Sequence, residues 1–251
     1  MQTRNELAGR VAIVTGAARN IGRAIALALC DAGAAIAVNG RASKVDVDSV
    51  VAEIESRGGK AVAVMADIAD EAAVAAMMKT VAERFGRIDI LVNNAAVRPE
   101  KPFESLTLSD WRAVHSVILE GAFLTSKAAL PHLKSSGAGA IVNIGGMSAH
   151  TGARHRAHVV AAKSGLVGFT RALAHDLAEW GITANCVVPG LIDTVRAPGT
   201  KPPQHHQMNK TLAARFGAPQ EIAATVRFLA GPEARYITGQ AIHVNGGAYL
   251  G

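Results

Sequence analysis

The sequence predicts an α/β fold: a three-layer, doubly wound, seven-stranded parallel sheet with helices on both faces, formed by residues 1–251 as one domain. Three observations predict it. Short apolar runs alternate with segments of helical periodicity almost from the start, the signature of successive strand–helix units. The runs are apolar at neighbouring positions, so both faces of each strand are covered, as in a parallel sheet. Finally, 49% of the 251 residues are hydrophobic and only 18% charged, enough to bury one large core without a linker or repeat to divide it. Right-handed crossovers then leave a doubly wound topology.

The elements follow in order. Val11–Thr15 is the first strand, and a glycine-bearing turn leads into a helix over Ile21–Ala32 that stops at Gly33. Ala34–Asn39 is the second strand, Val45–Arg57 a helix closed by Gly58 and Gly59, and Ala61–Ala66 the third strand. A helix over Glu71–Phe85 ends at Gly86 and gives way to a fourth strand, Ile88–Asn93. Ser109–Leu133 is a long helix with Ser109 as its cap. Ala140–Ile144, the helix Val159–Trp180, Ile182–Val188 and Ala241–Asn245 complete the pattern. Pro198–Asn209 is rich in proline and polar residues and is expected to be a flap near the ligand site.

Several classes of function are disfavoured by composition. The two cysteines, Cys30 and Cys186, lie far apart in apolar segments and read as buried free thiols, and no His/Cys cluster suggests a metal. No apolar run reaches the roughly 18 residues that span a bilayer, so a cytoplasmic protein without membrane partners is expected. The net charge of +6 comes from scattered lysines and arginines. Nucleic acid would need a basic face, so an anionic cofactor or substrate is the better match.

The first turn, Thr15 to Gly22, carries Gly16, Arg19, Asn20, Ile21 and Gly22 between a strand and a helix. Glycine lets the backbone approach a pyrophosphate, and the helix N-terminus offers amide donors and a positive dipole end. A site for NAD places a carboxylate at the end of the second strand to bind the ribose 2′-hydroxyl, and that charge repels a 2′-phosphate. Here the strand ends Asn39-Gly40-Arg41, with no acid; Arg41 and Arg19 are the candidate phosphate ligands. NADP(H) is favoured over NAD(H).

These residues resemble the short-chain dehydrogenases/reductases, a Rossmann-fold family, over essentially the whole chain. The turn is similar to the family's TGxxxGxG, Asp67-Ile68 to its adenine-binding Asp, and Asn93-Asn94-Ala95-Ala96 to its NNAG. Pro189-Gly190 with Ile192 and Thr194 resembles the segment that holds the nicotinamide, and Tyr236 through Gly247 the closing strand. Asn20 stands where the family usually has Gly, and Ala96 where NNAG ends in Gly. The resemblance implies a cofactor set of Gly16, Arg19, Asn20, Ile21, Gly22, Arg41, Asp67, Ile68, Asn94, Ala95, Lys163, Pro189, Gly190, Ile192 and Thr194. It also implies a small-molecule substrate and a homo-oligomer, tetramer or dimer, built on the two long helices and the last strand.

The catalytic positions depart from the family. Its Tyr, four residues before the retained Lys163, is Val159; its Ser is Gly146; its Asn is Ile118. Valine and isoleucine carry no proton, and a positioned acid/base is worth about 10²–10⁴-fold. The polar stretch 147–158 offers substitutes: Ser148, two residues past Gly146, and His155 and His158, with His155 one helical turn before Val159 if the helix reaches back that far. Arg98 and the flap residues Arg196, Lys201, His205 and His206 would favour an anionic substrate if they line the mouth. Three functions stay open: an NADP(H)-dependent oxidoreductase with a rebuilt proton path through Lys163, His155, His158 or Ser148; a cofactor-binding sensor or partner subunit without turnover; and a non-redox enzyme using the His-rich loop.

Overall fold

The computed structural model describes residues 5–195 and 211–251. The flap Pro198–Asn209, with Arg196, Lys201, His205 and His206, therefore lies outside the described residues.

Seven parallel strands run in the order β3-β2-β1-β4-β5-β6-β7. They are β1 (Val11–Val14), β2 (Ala35–Gly40), β3 (Ala61–Met65), β4 (Ile90–Asn93), β5 (Ala140–Ile144), β6 (Thr183–Pro189) and β7 (Ala241–Val244). The alternation of side chains along each strand splits the core in two. Ala12 and Val14 of β1 join a cluster with α1 (Asn20–Asp31), α2 (Lys44–Ser56) and α8 (Pro219–Ala230). Val11 and Ile13, pointing the other way, join α3 (Glu71–Phe85), α5 (Gly121–Ser136) and α7 (Ala157–Asp176). This is the three-layer arrangement the sequence predicts. The sheet order reverses between β1 and β4, so a crevice opens there at the C-terminal ends of the strands.

Several helices differ from expectation, and α7 spans Ala157–Asp176 where Val159–Trp180 is predicted. The long helix begins one residue earlier than predicted, as α4 (Leu108–His115), and its cap is Thr107 rather than Ser109. Thr107 and Asp110 cap each other's backbone N–H groups, a reciprocal pairing Ser109 has no partner for. A π-turn, Ser116–Glu120, then joins α4 to α5, with Ile118 at its centre. Before β7 the structure adds α8, to which no predicted element corresponds; Pro219 opens it and Ile222, Val226 and Leu229 form its buried stripe. A single helical turn, α6 (Ser148–Thr151), follows β5.

Both cysteines are free and buried. No helix among the described residues is long and apolar enough to cross a membrane.

Candidate active site

The turn after β1 is held by side chains from three neighbouring strand ends. Thr15 Oγ1 accepts the backbone N–H groups of Asn94 (2.9 Å) and Ala95 (3.1 Å) beyond β4. In return, Asn94 Nδ2 donates to the carbonyls of Thr15 (2.9 Å) and Gly16 (3.0 Å). From β2, Asn39 Oδ1 accepts the Gly16 N–H at 3.3 Å, while its Nδ2 ties β2 to the Val64 and Ala66 carbonyls. Gly16 is left-handed at φ +61°. At Gly22 a Cβ would lie 2.3 Å from the Gly16 carbonyl oxygen and 2.5 Å from Asn94 Nδ2, so no side chain fits. The glycines of this turn are demanded by backbone contact.

The turn suits an anion. Helices α2, α3 and α4 have their first N–H groups capped by Ser43, Asp70 and Thr107. Helix α1 has neither a side-chain cap from Arg19 nor an acid in its first turn, so its amides keep their positive end for a ligand. Arg19 itself is exposed beside them. At the end of β2, Arg41 lies 3.5 Å from Asp67, and Asp67 also accepts the Ala69 N–H. The ribose-side cation and the adenine-side acid of the sequence reading are thus neighbours. Gly190, after β6, packs so closely that a Cβ there would touch Asn245 at 2.6 Å. Ile192 is buried next to it.

The catalytic half is built differently. Lys163 projects from α7, is 4% exposed, and donates from Nζ to the Ile144 carbonyl at the end of β5. Burial, then the nearby Arg98 guanidinium, bring its pKa down to about 7. One turn earlier, Val159 is 1% exposed, and across from it Ile118 is 2% exposed. The two belong to one apolar cluster with Val114, Ala122, Ala162 and Leu166. Hydrocarbon from α4, the π-turn and α7 thus surrounds the two positions where the resemblance implies an amide and a phenol. At Gly146, by contrast, an added Cβ would meet nothing within 4 Å.

The candidate substitutes separate. Helix α7 begins at Ala157, so His155 lies ahead of it, left-handed at φ +60°, with its carbonyl accepting the Lys101 N–H. The condition that would have aligned His155 with Val159 is not met, because Arg156 rather than an earlier residue caps the helix. His158 is fully buried, and neither ring nitrogen has a hydrogen-bond partner among the described residues. Burial pushes its pKa down; Asp110 pulls the other way, while Arg156, His115 and Lys101 add to the depression. Ser148 opens α6.

Two features were not read from the sequence. The rings of His150, His243 and Tyr249 form a cluster, with centroids 4.5 Å apart for the two histidines and 5.6 and 5.0 Å from each to the tyrosine. Their separation along the chain hides this. Beneath the site, Thr125 donates to Asn93, Asn93 to Asn143, and Asn143 to Thr170, a buried polar row crossing from α5 through β4 and β5 to α7. Buried asparagines at strand ends were the available signal, since such groups need partners. No group of three or more His, Cys, Asp or Glu residues among those described could hold a metal.

A doubly wound sheet with an uncapped, glycine-lined helix start at its switch point defines a dinucleotide-binding protein of the Rossmann class. The family model described as enoyl-(acyl carrier protein) reductase matches residues 16–249. A 3-oxoacyl-[acyl-carrier-protein] reductase of Synechocystis is 42% identical over 97% of this chain and 98% of its own length. Among solved structures, a dehydrogenase/reductase from Sinorhizobium meliloti superposes with TM-score 0.92 at 36% identity, covering 99% of this chain and 98% of that one. A short-chain dehydrogenase from Burkholderia cenocepacia in complex with NADP gives 0.90 at 38% identity, covering 97% and 99%. The chain belongs to the short-chain dehydrogenase/reductase family of oxidoreductases.

Proposed function

We propose that this chain is an NADP(H)-dependent oxidoreductase acting on a carbonyl/alcohol pair, with Lys163 carrying the proton that a tyrosine carries in relatives. The cofactor half of the reading is supported by the uncapped start of α1, by Arg41 where an NAD site needs an acid, and by likeness to a structure in complex with NADP. Gly16, Arg19, Asn20, Ile21 and Gly22 would face the pyrophosphate, Arg41 the 2′-phosphate, Asp67 and Ile68 the adenine, and Asn94, Ala95, Pro189, Gly190, Ile192 and Thr194 the nicotinamide side. Bound NADP(H) supplies the hydride chemistry.

One observation carries the catalytic half: Lys163 is the surviving ionisable member of the family's set, and it is buried with a pKa near neutrality, about 7. An acid/base works best when its pKa lies close to the working pH. In the reducing direction Nζ must hold a proton to give to the substrate oxygen, so the rate falls as pH rises through about 7. In the oxidising direction the neutral amine is the base, and the rate rises through the same range. Arg98, close enough to depress Lys163, adds positive charge and favours a substrate with an anionic group.

The test is the pH profile of kcat/KM across a carbonyl panel, for the parent chain and Lys163→Met. The expected result is a midpoint near 7, lost in the variant together with about 10²–10⁴-fold in kcat. The apolar cluster around Ile118 and Val159 favours a second reading, a cofactor-binding protein without turnover. NADPH binding with no oxidation over the whole panel would select it and overturn the first.

A further inference from the structure

Asn20 sits in the phosphate turn with left-handed backbone, φ +51°. Its side chain makes a two-point bond to a residue 175 positions away: Nδ2 donates to the Val195 carbonyl and Oδ1 accepts the Val195 N–H, each at 2.9 Å. The residue type matters. Gly, Asn and Asp are the residues best tolerated at such a φ. Glycine has no side chain and aspartate only acceptors, whereas asparagine has the donor and the acceptor that a backbone N–H and C=O require.

The placement of the two ends gives the bond its meaning. Asn20 follows β1, and Val195 lies on the run that leaves β6 through Gly190 and Ile192. In the sheet, β4 and β5 lie between β1 and β6. The clasp therefore links strand ends three places apart, roughly 14 Å by the usual interstrand spacing. The root of the run is fixed: Leu191 and Ile192 are buried, the Asp193 N–H donates to the Gly217 carbonyl at 2.8 Å, and the Gly217 N–H to the Leu191 carbonyl at 2.9 Å. Further along, Val195 is 82% exposed and reaches the phosphate turn through Asn20.

We propose that Asn20 is a positioning residue that straps segment 190–195 across the dinucleotide cleft, so that the cofactor enters and leaves when these two hydrogen bonds open. The proposal rests on NADP(H) binding at this turn. Replacing Asn20 with glycine removes the clasp while keeping a residue suited to the positive φ, so the variant can adopt the same turn.

The experiment measures NADPH dissociation by stopped-flow fluorescence, with excess NADP⁺ as displacer, in the parent chain and Asn20→Gly. Amide exchange at Val195 is followed in both without cofactor. Two neutral hydrogen bonds account for about a tenfold change. NADPH is expected to leave the variant about tenfold faster, with Val195 exchanging faster as well. A parent chain that binds NADPH and a variant that releases it within twofold of the same rate would overturn the strap alone. A parent chain that does not bind NADPH would overturn the cofactor reading and the strap with it, whatever Val195 does.

Discussion

The two halves of the crevice are built on opposite principles. Around the β1–α1 turn, polar side chains answer backbone groups: Thr15, Asn39 and Asn94 each hold two or more N–H groups or carbonyls, and backbone and Asn94 crowd the place a Gly22 side chain would take. Around α7, the positions that face each other are Ile118 and Val159, sealed in hydrocarbon, with one amine left beside them. Both halves are well packed, so neither looks like decay. The difference separates a half built on polar contacts to the backbone from a half built on hydrocarbon, and under the proposed function it divides recognition from proton chemistry.

The strongest way to break this comparison is at Gly22. Replacing it with alanine places a methyl 2.3 Å from a backbone oxygen, where nothing flexible can yield. NADPH binding is expected to fall beyond about 100-fold, with about 1–3 kcal/mol of stability lost, as overpacking costs. Fluorescence titration and thermal melts check both; retained binding would mean the turn is not the recognition element.

A smaller effect is expected on the catalytic side. Gly146→Ser enters open space and should change stability by less than about 0.5 kcal/mol. Val159→Tyr must push into a filled cluster and should cost about 1–3 kcal/mol. The double variant should nevertheless gain reduction of a simple ketone, measured through the nicotinamide absorbance. No gain would place the loss of tyrosine chemistry in the shape of the pocket, beyond the missing groups.

The smallest effect sharpens the picture of α7. His158 is buried with no hydrogen-bond partner for its ring among the described residues, and its pKa is depressed below the usual 6.5. Below that pH the unfolded chain takes up a proton that the folded chain resists, so stability is full above about 6.5 and declines as pH falls. His158→Leu should flatten the acid side of a melting-temperature profile and add about 1 kcal/mol, the order of an unmet polar group's cost. An unchanged acid slope would move the acid sensitivity elsewhere.

Much of this molecule was readable from its residues, for physical reasons. Strands such as Val11–Val14 are continuous apolar runs because both faces are covered, and the glycine turn is recognisable because its spacing follows from backbone contact. Helix α8 has its own signals in Pro219 and the Ile222, Val226, Leu229 spacing, but it follows an irregular polar stretch that masks its start. The beginning of α7 depended on local backbone: it starts at Ala157, two residues before the predicted Val159, and left-handed Gly152 and His155 keep it from reaching back to His155. The Asn20–Val195 bond and the His150, His243 and Tyr249 cluster join residues far apart in the chain. Pattern reasoning has no purchase on such pairs.

The π-turn at Ser116–Glu120 has a consequence for how this helix tolerates change. An ordinary α-helix advances about 100° per residue, so one extra residue within a turn re-phases everything that follows. Upstream of it Val114 meets the cluster of Val159, and downstream Thr125, Ala129 and Leu133 meet the sheet. Deleting any one residue between 116 and 120 would regularise the helix yet swing that downstream stripe by about a quarter-turn, away from Asn93 and into solvent. The irregularity works as a vernier, setting two buried faces of one rod against two different neighbours.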